Sequence, residues 1–116
     1  MNELRAFAKM ALYSGYGWGC GYVVVPPGHP YHGADYDHVP VEVNGGLTFG
    51  ERADDLANWP EITDADKGCW VFGFDTAHYG DTPEKWPDKQ SVLAEANRLK
   101  KQLEKLWEQE KLLKED

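Results

Sequence analysis

Gly68-Cys69-Trp70-Val71-Phe72-Gly73-Phe74 is the stretch that decides the fold. Near-continuous apolarity over the length of one strand predicts a strand covered on both faces and central in its sheet. Gly21-Tyr22-Val23-Val24-Val25 is β-branched and aromatic, and predicts a second confident strand that Pro26-Pro27-Gly28 ends, because proline cannot donate to a ladder. Between them, Val39-Pro40-Val41-Glu42-Val43 alternates and reads as a strand. Asn44-Gly45-Gly46 offers positive-φ turn positions, and Leu47-Thr48-Phe49 reads as the returning strand. Residues 50–66 are polar and acidic, and read as loop with one helical turn at Arg52–Asn58.

The flanks read as helical. Leu4, Phe7, Ala8, Ala11 and Leu12 fall at helical spacing and predict a short helix over residues 2–12, broken by the glycines of Ser14-Gly15-Tyr16-Gly17-Trp18-Gly19. From about Asp88 to Leu113, Val92, Ala96, Leu99, Leu103, Leu106 and Leu113 recur in steps of four and three, with Glu110 at one expected apolar place. Twenty-six helical residues span about 39 Å, more than a domain with a radius of gyration near ~13 Å can cover. The far end, with Trp107, Leu112 and Leu113, is therefore expected to overhang and to offer a seam to a second copy.

The expected fold is thus α+β: a small, mainly antiparallel sheet of about four strands, with a short N-terminal helix and a long C-terminal helix. Residues 1–87 form the body that carries the His, Asp and aromatic loops, and 88–116 the helix. The 116 residues suffice for one modest core. No run of about 18 apolar residues is present, and the charged N-terminal stretch lacks a signal-peptide core, so a cytoplasmic protein is expected. Cys20 and Cys69 lack the number and spacing of a disulfide or zinc framework and read as reduced thiols.

Charge placement narrows the function classes. Residues 1–82 hold four basic side chains against twelve acidic ones, and residues 83–116 hold eight of each. The net charge of −8 therefore sits on the body. No basic stripe exists for broad nucleic-acid binding. The field favours a cation or a basic protein surface.

Two loops concentrate chemistry. Gly28-His29-Pro30-Tyr31-His32-Gly33-Ala34-Asp35-Tyr36-Asp37-His38 follows one strand, and Asp75-Thr76-Ala77-His78-Tyr79-Gly80-Asp81 follows another. Brought together, they read as a binding site with His29, Tyr31, His32, Tyr36, Asp37, Thr48, Asp75, His78, Tyr79 and Asp81 as ligand-binding residues. Aromatic faces with a few convergent polar groups describe a small-molecule site. No activated nucleophile accompanies them, and no cofactor is expected. The alternative is a metal-dependent hydrolase of a phosphoester or nucleotide. It would use zinc or manganese on His29, His32, Asp37 and His78, with Asp75 or Asp81 as base.

The chain resembles a group of small phage and bacterial proteins. The pieces that carry the resemblance are Cys20 to Pro26 with Gly28-His29-Pro30-Tyr31-His32-Gly33, Asn44-Gly45-Gly46-Leu47-Thr48-Phe49, and Trp70 through Asp81. They cover roughly residues 18–82. The resemblance implies no assigned catalytic residue. It implies a phage setting, in which a counter-defence protein binds a host protein or sequesters a nucleotide signal. In the Gly-Gly-Leu-Thr segment it implies His where this chain has Asn44, which weakens a metal role.

Overall fold

The computed structural model describes residues 3–114; the outermost residues of the expected body and helix, 1–2 and 115–116, lie outside the described residues. Four strands form one sheet in the order β1-β2-β4-β3: β1 Arg5–Met10, β2 Gly19–Val25, β3 Phe49–Arg52 and β4 Trp70–Asp75. Every neighbouring pair is antiparallel. As the apolarity of 68–74 requires, β4 is central, and Val71, Phe72 and Phe74 are buried. Helix α1, Lys89–Leu113, crosses one face, and Asp88 caps it by accepting the Ser91 N–H at 2.9 Å.

Alternation along the strands divides the core in two. Val23, Val25, Phe72 and Phe74 meet Val92, Ala96, Leu99, Leu103 and Trp107 of α1. Gly21 makes this approach possible, because a methyl group there would overlap the Phe74 ring and crowd Ala96. Phe7, Tyr22, Val24 and Val71 face the other way, under Ala53, Leu56, Trp59 and Ile62. Tyr22 and Trp59 stand edge to face at 5.0 Å, and Phe49 stacks on Trp59 at 5.6 Å. Both cysteines are free thiols.

Three sequence expectations change. The N-terminal segment is the edge strand β1 and no helix. Its apolar residues fit both periods: Ala8 joins the helix-side core and Phe7 the opposite one. Arg5 and Lys9, on the Phe7 face, reach Asp66 and Glu61. The open edge of β2 supplies a six-residue ladder that an isolated helix cannot match, so pairing overrides local propensity.

Residues 39–43 belong to no strand, and the Val41 N–H turns back to the Val39 carbonyl at 2.9 Å. Val39 and Val43 are buried against the helix-side core, and the Glu42 N–H and C=O are both taken by the Gln102 side-chain amide at 2.8 Å. The alternation reported burial, and a glutamine of α1 stands in for a ladder partner. The strand expected at Leu47–Phe49 begins at Phe49 and runs to Arg52, while the helical turn that follows is a 3-10 turn over Ala53–Leu56.

The helix is integral to the body. Trp107 is buried, so only the turns beyond it overhang, with Leu112 and Leu113 exposed. The molecule is 50 Å along its longest axis and 28 Å across the next. No described helix is long and apolar enough to cross a membrane.

Candidate functional site

The sheet separates the two loops. Val25 pairs with Trp70 and Cys20 with Asp75, so β2 and β4 run in opposite directions. The segment after β2 leaves at the Trp70 end and the segment after β4 leaves at the other, about 17 Å away at roughly 3.4 Å per residue. The ten expected site residues therefore fall into two groups. His29, Tyr31, His32, Tyr36 and Asp37 belong to one end, and Thr48, Asp75, His78, Tyr79 and Asp81 to the other. The joint site is not formed, and the metal set of His29, His32, Asp37 and His78 does not converge. Among the described residues no group of three or more His, Cys, Asp or Glu side chains is placed to hold a metal ion.

At the Trp70 end His29 and His32 bind backbone groups, while His38 is exposed. His29 is 4% exposed; its Nε2–H donates to the Leu103 carbonyl at 2.8 Å, and its Nδ1 accepts the Tyr31 N–H at 3.0 Å. Those two bonds fix one neutral tautomer. Burial pushes its pKa below the ordinary histidine value, against the opposing pull of the Leu103 carbonyl and Glu110. His32 Nε2 lies 2.7 Å from the Gly68 carbonyl oxygen and its ring tilts over Trp70. Tyr31 packs against the core. Asp37 and Tyr36 are exposed on the 3-10 turn Tyr36–His38.

The other end holds a converged cluster centred on Asp81, which is 5% exposed. Its carboxylate accepts the Asn44 amide at 3.0 and 3.1 Å, the Trp86 indole at 3.0 Å, the His78 backbone N–H at 2.9 Å and the His78 ring Nδ1–H at 3.1 Å. Burial works to raise the Asp81 pKa, but these donors outweigh it and hold the carboxyl below the usual carboxylate range. Asp75 Oδ1 is 3.3 Å from the same His78 nitrogen, while Asp75 also accepts the Ala77 N–H and the Thr48 hydroxyl. The two carboxylates thus flank the same His78 nitrogen.

The sequence builds this end from three segments. Gly45 has φ +70°, and the His78 ring lies where its side chain would be, so only glycine fits. Asn44 donates its backbone N–H to Glu95 of α1 at 2.8 Å. The bidentate Arg98 pair, and secondarily that N–H, holds the Glu95 carboxyl below its ordinary range against burial. A chain of contacts thus runs from α1 through Asn44 to Asp81 and His78. Between the two clamped residues stands Tyr79, 105% exposed.

Sequence reasoning missed Asn44, Trp86 and Glu95. Asn44 read as a turn residue; the available signal was an amide preceding two glycines whose φ requirement already met the turn. Trp86, a lone aromatic between Pro83 and Pro87, signalled an anchor inside a polar loop.

No family model matches the chain. No curated protein and no solved structure matches it either.

The arrangement can do one thing well. It presents an aromatic ring beside an imidazole on a loop bonded to itself. The Thr48 hydroxyl, at the same end, is spent on Asp75.

Proposed function

We propose that this is a non-catalytic binding protein that meets a protein partner through the 75–81 loop, with Tyr79 as its anchor. The observation that carries this reading is a fully exposed tyrosine on a loop clamped by a buried carboxylate. A loop ordered before binding avoids about 0.5–1.5 kcal/mol of ordering cost per immobilised side chain. Tyrosine is among the residues that dominate interface energies. In the setting that the phage resemblance implies, the partner is a cytoplasmic host protein and the role is counter-defence.

The test is a photo-cross-linking residue at position 79, compared with one at position 114, in cells that make the protein. A discrete protein adduct from position 79 alone is expected; equal labelling from both positions, or none, refutes the anchor. Native mass spectrometry of the same preparation reads the other ligand class. A retained molecule of nucleotide mass would favour sequestration over a protein partner, and its turnover would end the non-catalytic reading. The spectrum also reads whether Leu112 and Leu113 pair two copies.

A further inference from the structure

The end of the sheet that carries Tyr79 also carries a groove of about 240 Å³ between the β1–β2 hairpin and the segment before α1. Its walls include Tyr13, Tyr16, Trp18, Trp86, Pro83 and Pro87. We propose that this groove takes an extended, proline-containing segment of a protein partner, with a basic residue at one end of that segment. The inference rests on the reading that a protein partner meets this end of the sheet, and it names the chemistry of the partner.

Four observations support this occupant. The groove is built in advance: Gly17 N–H donates to the Thr76 carbonyl and Trp18 N–H to the Trp86 carbonyl, each at 2.9 Å, and these bonds join the two walls. Gly17 sits so close to Thr76 and Trp86 that any side chain there would overlap them. The size excludes enclosure of a compact molecule, since sites that enclose small ligands run to about 300–1,000 Å³. A chain lying across the walls needs no enclosure.

The third observation is hydrogen-bond complementarity. A proline-rich segment has carbonyl acceptors and few N–H groups, and its polyproline helix is already extended. It needs aromatic faces with donors at their edges, and Trp18 and Tyr16 bring an indole N–H and a phenol O–H. Trp86 keeps its own N–H turned inward to Asp81, so its ring serves as a fixed floor.

The fourth is charge. Residues 10–20 hold no charged side chain, and exposed Glu84 and Asp88 each stand beside a wall proline, Pro83 and Pro87. The Lys85 ammonium lies over the Trp86 ring, 5.7 Å from its centroid. A basic residue on the incoming segment meets Glu84 or Asp88 on a body of net negative charge.

The test is a titration of ¹⁵N-labelled full-length protein with three synthetic decapeptides. One is proline-rich with a terminal arginine, one has glutamate in place of that arginine, and one has alanine in place of the prolines. The arginine peptide is expected to shift the Trp18 indole signal and the Tyr16 and Gly17 amides. The glutamate peptide should bind several-fold more weakly and the alanine peptide about tenfold more weakly. Trp18→Phe keeps the ring and removes the donor, and should weaken the arginine peptide several-fold with the remaining spectrum intact. Tyr16→Ala, at an exposed position, checks the same wall without touching the core. Groove signals unmoved at millimolar peptide, or equal binding of the alanine peptide, overturn the proposal. An intact cross-link at position 79 alongside a silent groove sinks the groove alone. Peptide binding without that cross-link sinks the Tyr79 anchor alone.

Discussion

Replacing His29 with alanine tests how the 26–48 segment is held to α1. The substitution removes the bonds to Leu103 and from Tyr31, and leaves the Tyr31 N–H without its acceptor. Two hydrogen bonds, one buried and one part-buried, at roughly 0.5–1.5 kcal/mol each contribute about 1–3 kcal/mol. The imidazole also packs on Trp107, with centroids 5.2 Å apart, and its loss leaves a void that adds about 1 kcal/mol. The expected cost at neutral pH is therefore about 2–4 kcal/mol, read by urea unfolding with tryptophan fluorescence. The same residue sets a pH signature. Its folded pKa lies below the unfolded value because the ring is buried, and its Nδ1 already accepts the Tyr31 N–H. As pH falls below about 6.5 the unfolded chain takes the proton first, so the wild type loses up to about 1.4 kcal/mol per pH unit from this group. The alanine variant has no such group. The difference between the two proteins should shrink steadily from neutral pH towards pH 5. A constant difference over that range would show that His29 protonates in place, and the argument from its two bonds would be wrong.

The Asp81 cluster and the helix give two further tests. Asn44→Asp replaces the amide donor to Asp81 with a second carboxylate, and should cost about 2–4 kcal/mol at neutral pH. Acidification should restore part of that loss, as one carboxyl takes a proton. The wild type behaves oppositely: Asp81 has a depressed folded pKa, so its stabilisation is present above the usual carboxylate range and is lost as pH falls through it. Urea midpoints across pH separate the two behaviours. Ending the chain after Leu106 removes buried Trp107 and should cost about 3–5 kcal/mol, whereas ending it after Gln109 should cost under about 1 kcal/mol. Equal melting temperatures for the two truncations would show that Trp107 contributes nothing to the core.

Where the sequence was legible, one physical cause acted alone. Val71, Phe72 and Phe74 are apolar because both faces of β4 are covered, and no other arrangement explains a run so short. The α1 pattern was equally legible, because Val92 through Leu103 return to one face at every turn. Residues 4–12 failed because two periods fitted them and the deciding force was a vacant ladder on β2, a partner distant in sequence. Residues 39–43 failed because alternation measures burial and not pairing, and Gln102 is invisible to any local reading.

The same reasoning explains why the two loops stay apart. Each loop is dense in polar and aromatic side chains, but whether two loops meet depends on strand direction. An antiparallel β2–β4 pair sends its two following segments to opposite ends. At one end His29 then faces α1 and His32 faces Gly68, each bound to a backbone carbonyl. At the other, α1 is already engaged by Asn44 through Glu95, and the loop bonds to itself through Asp81. Tyr79 is what that self-sufficient loop leaves over. The proposed anchor rests on that exposure, and the proposed groove lies at the same end of the sheet.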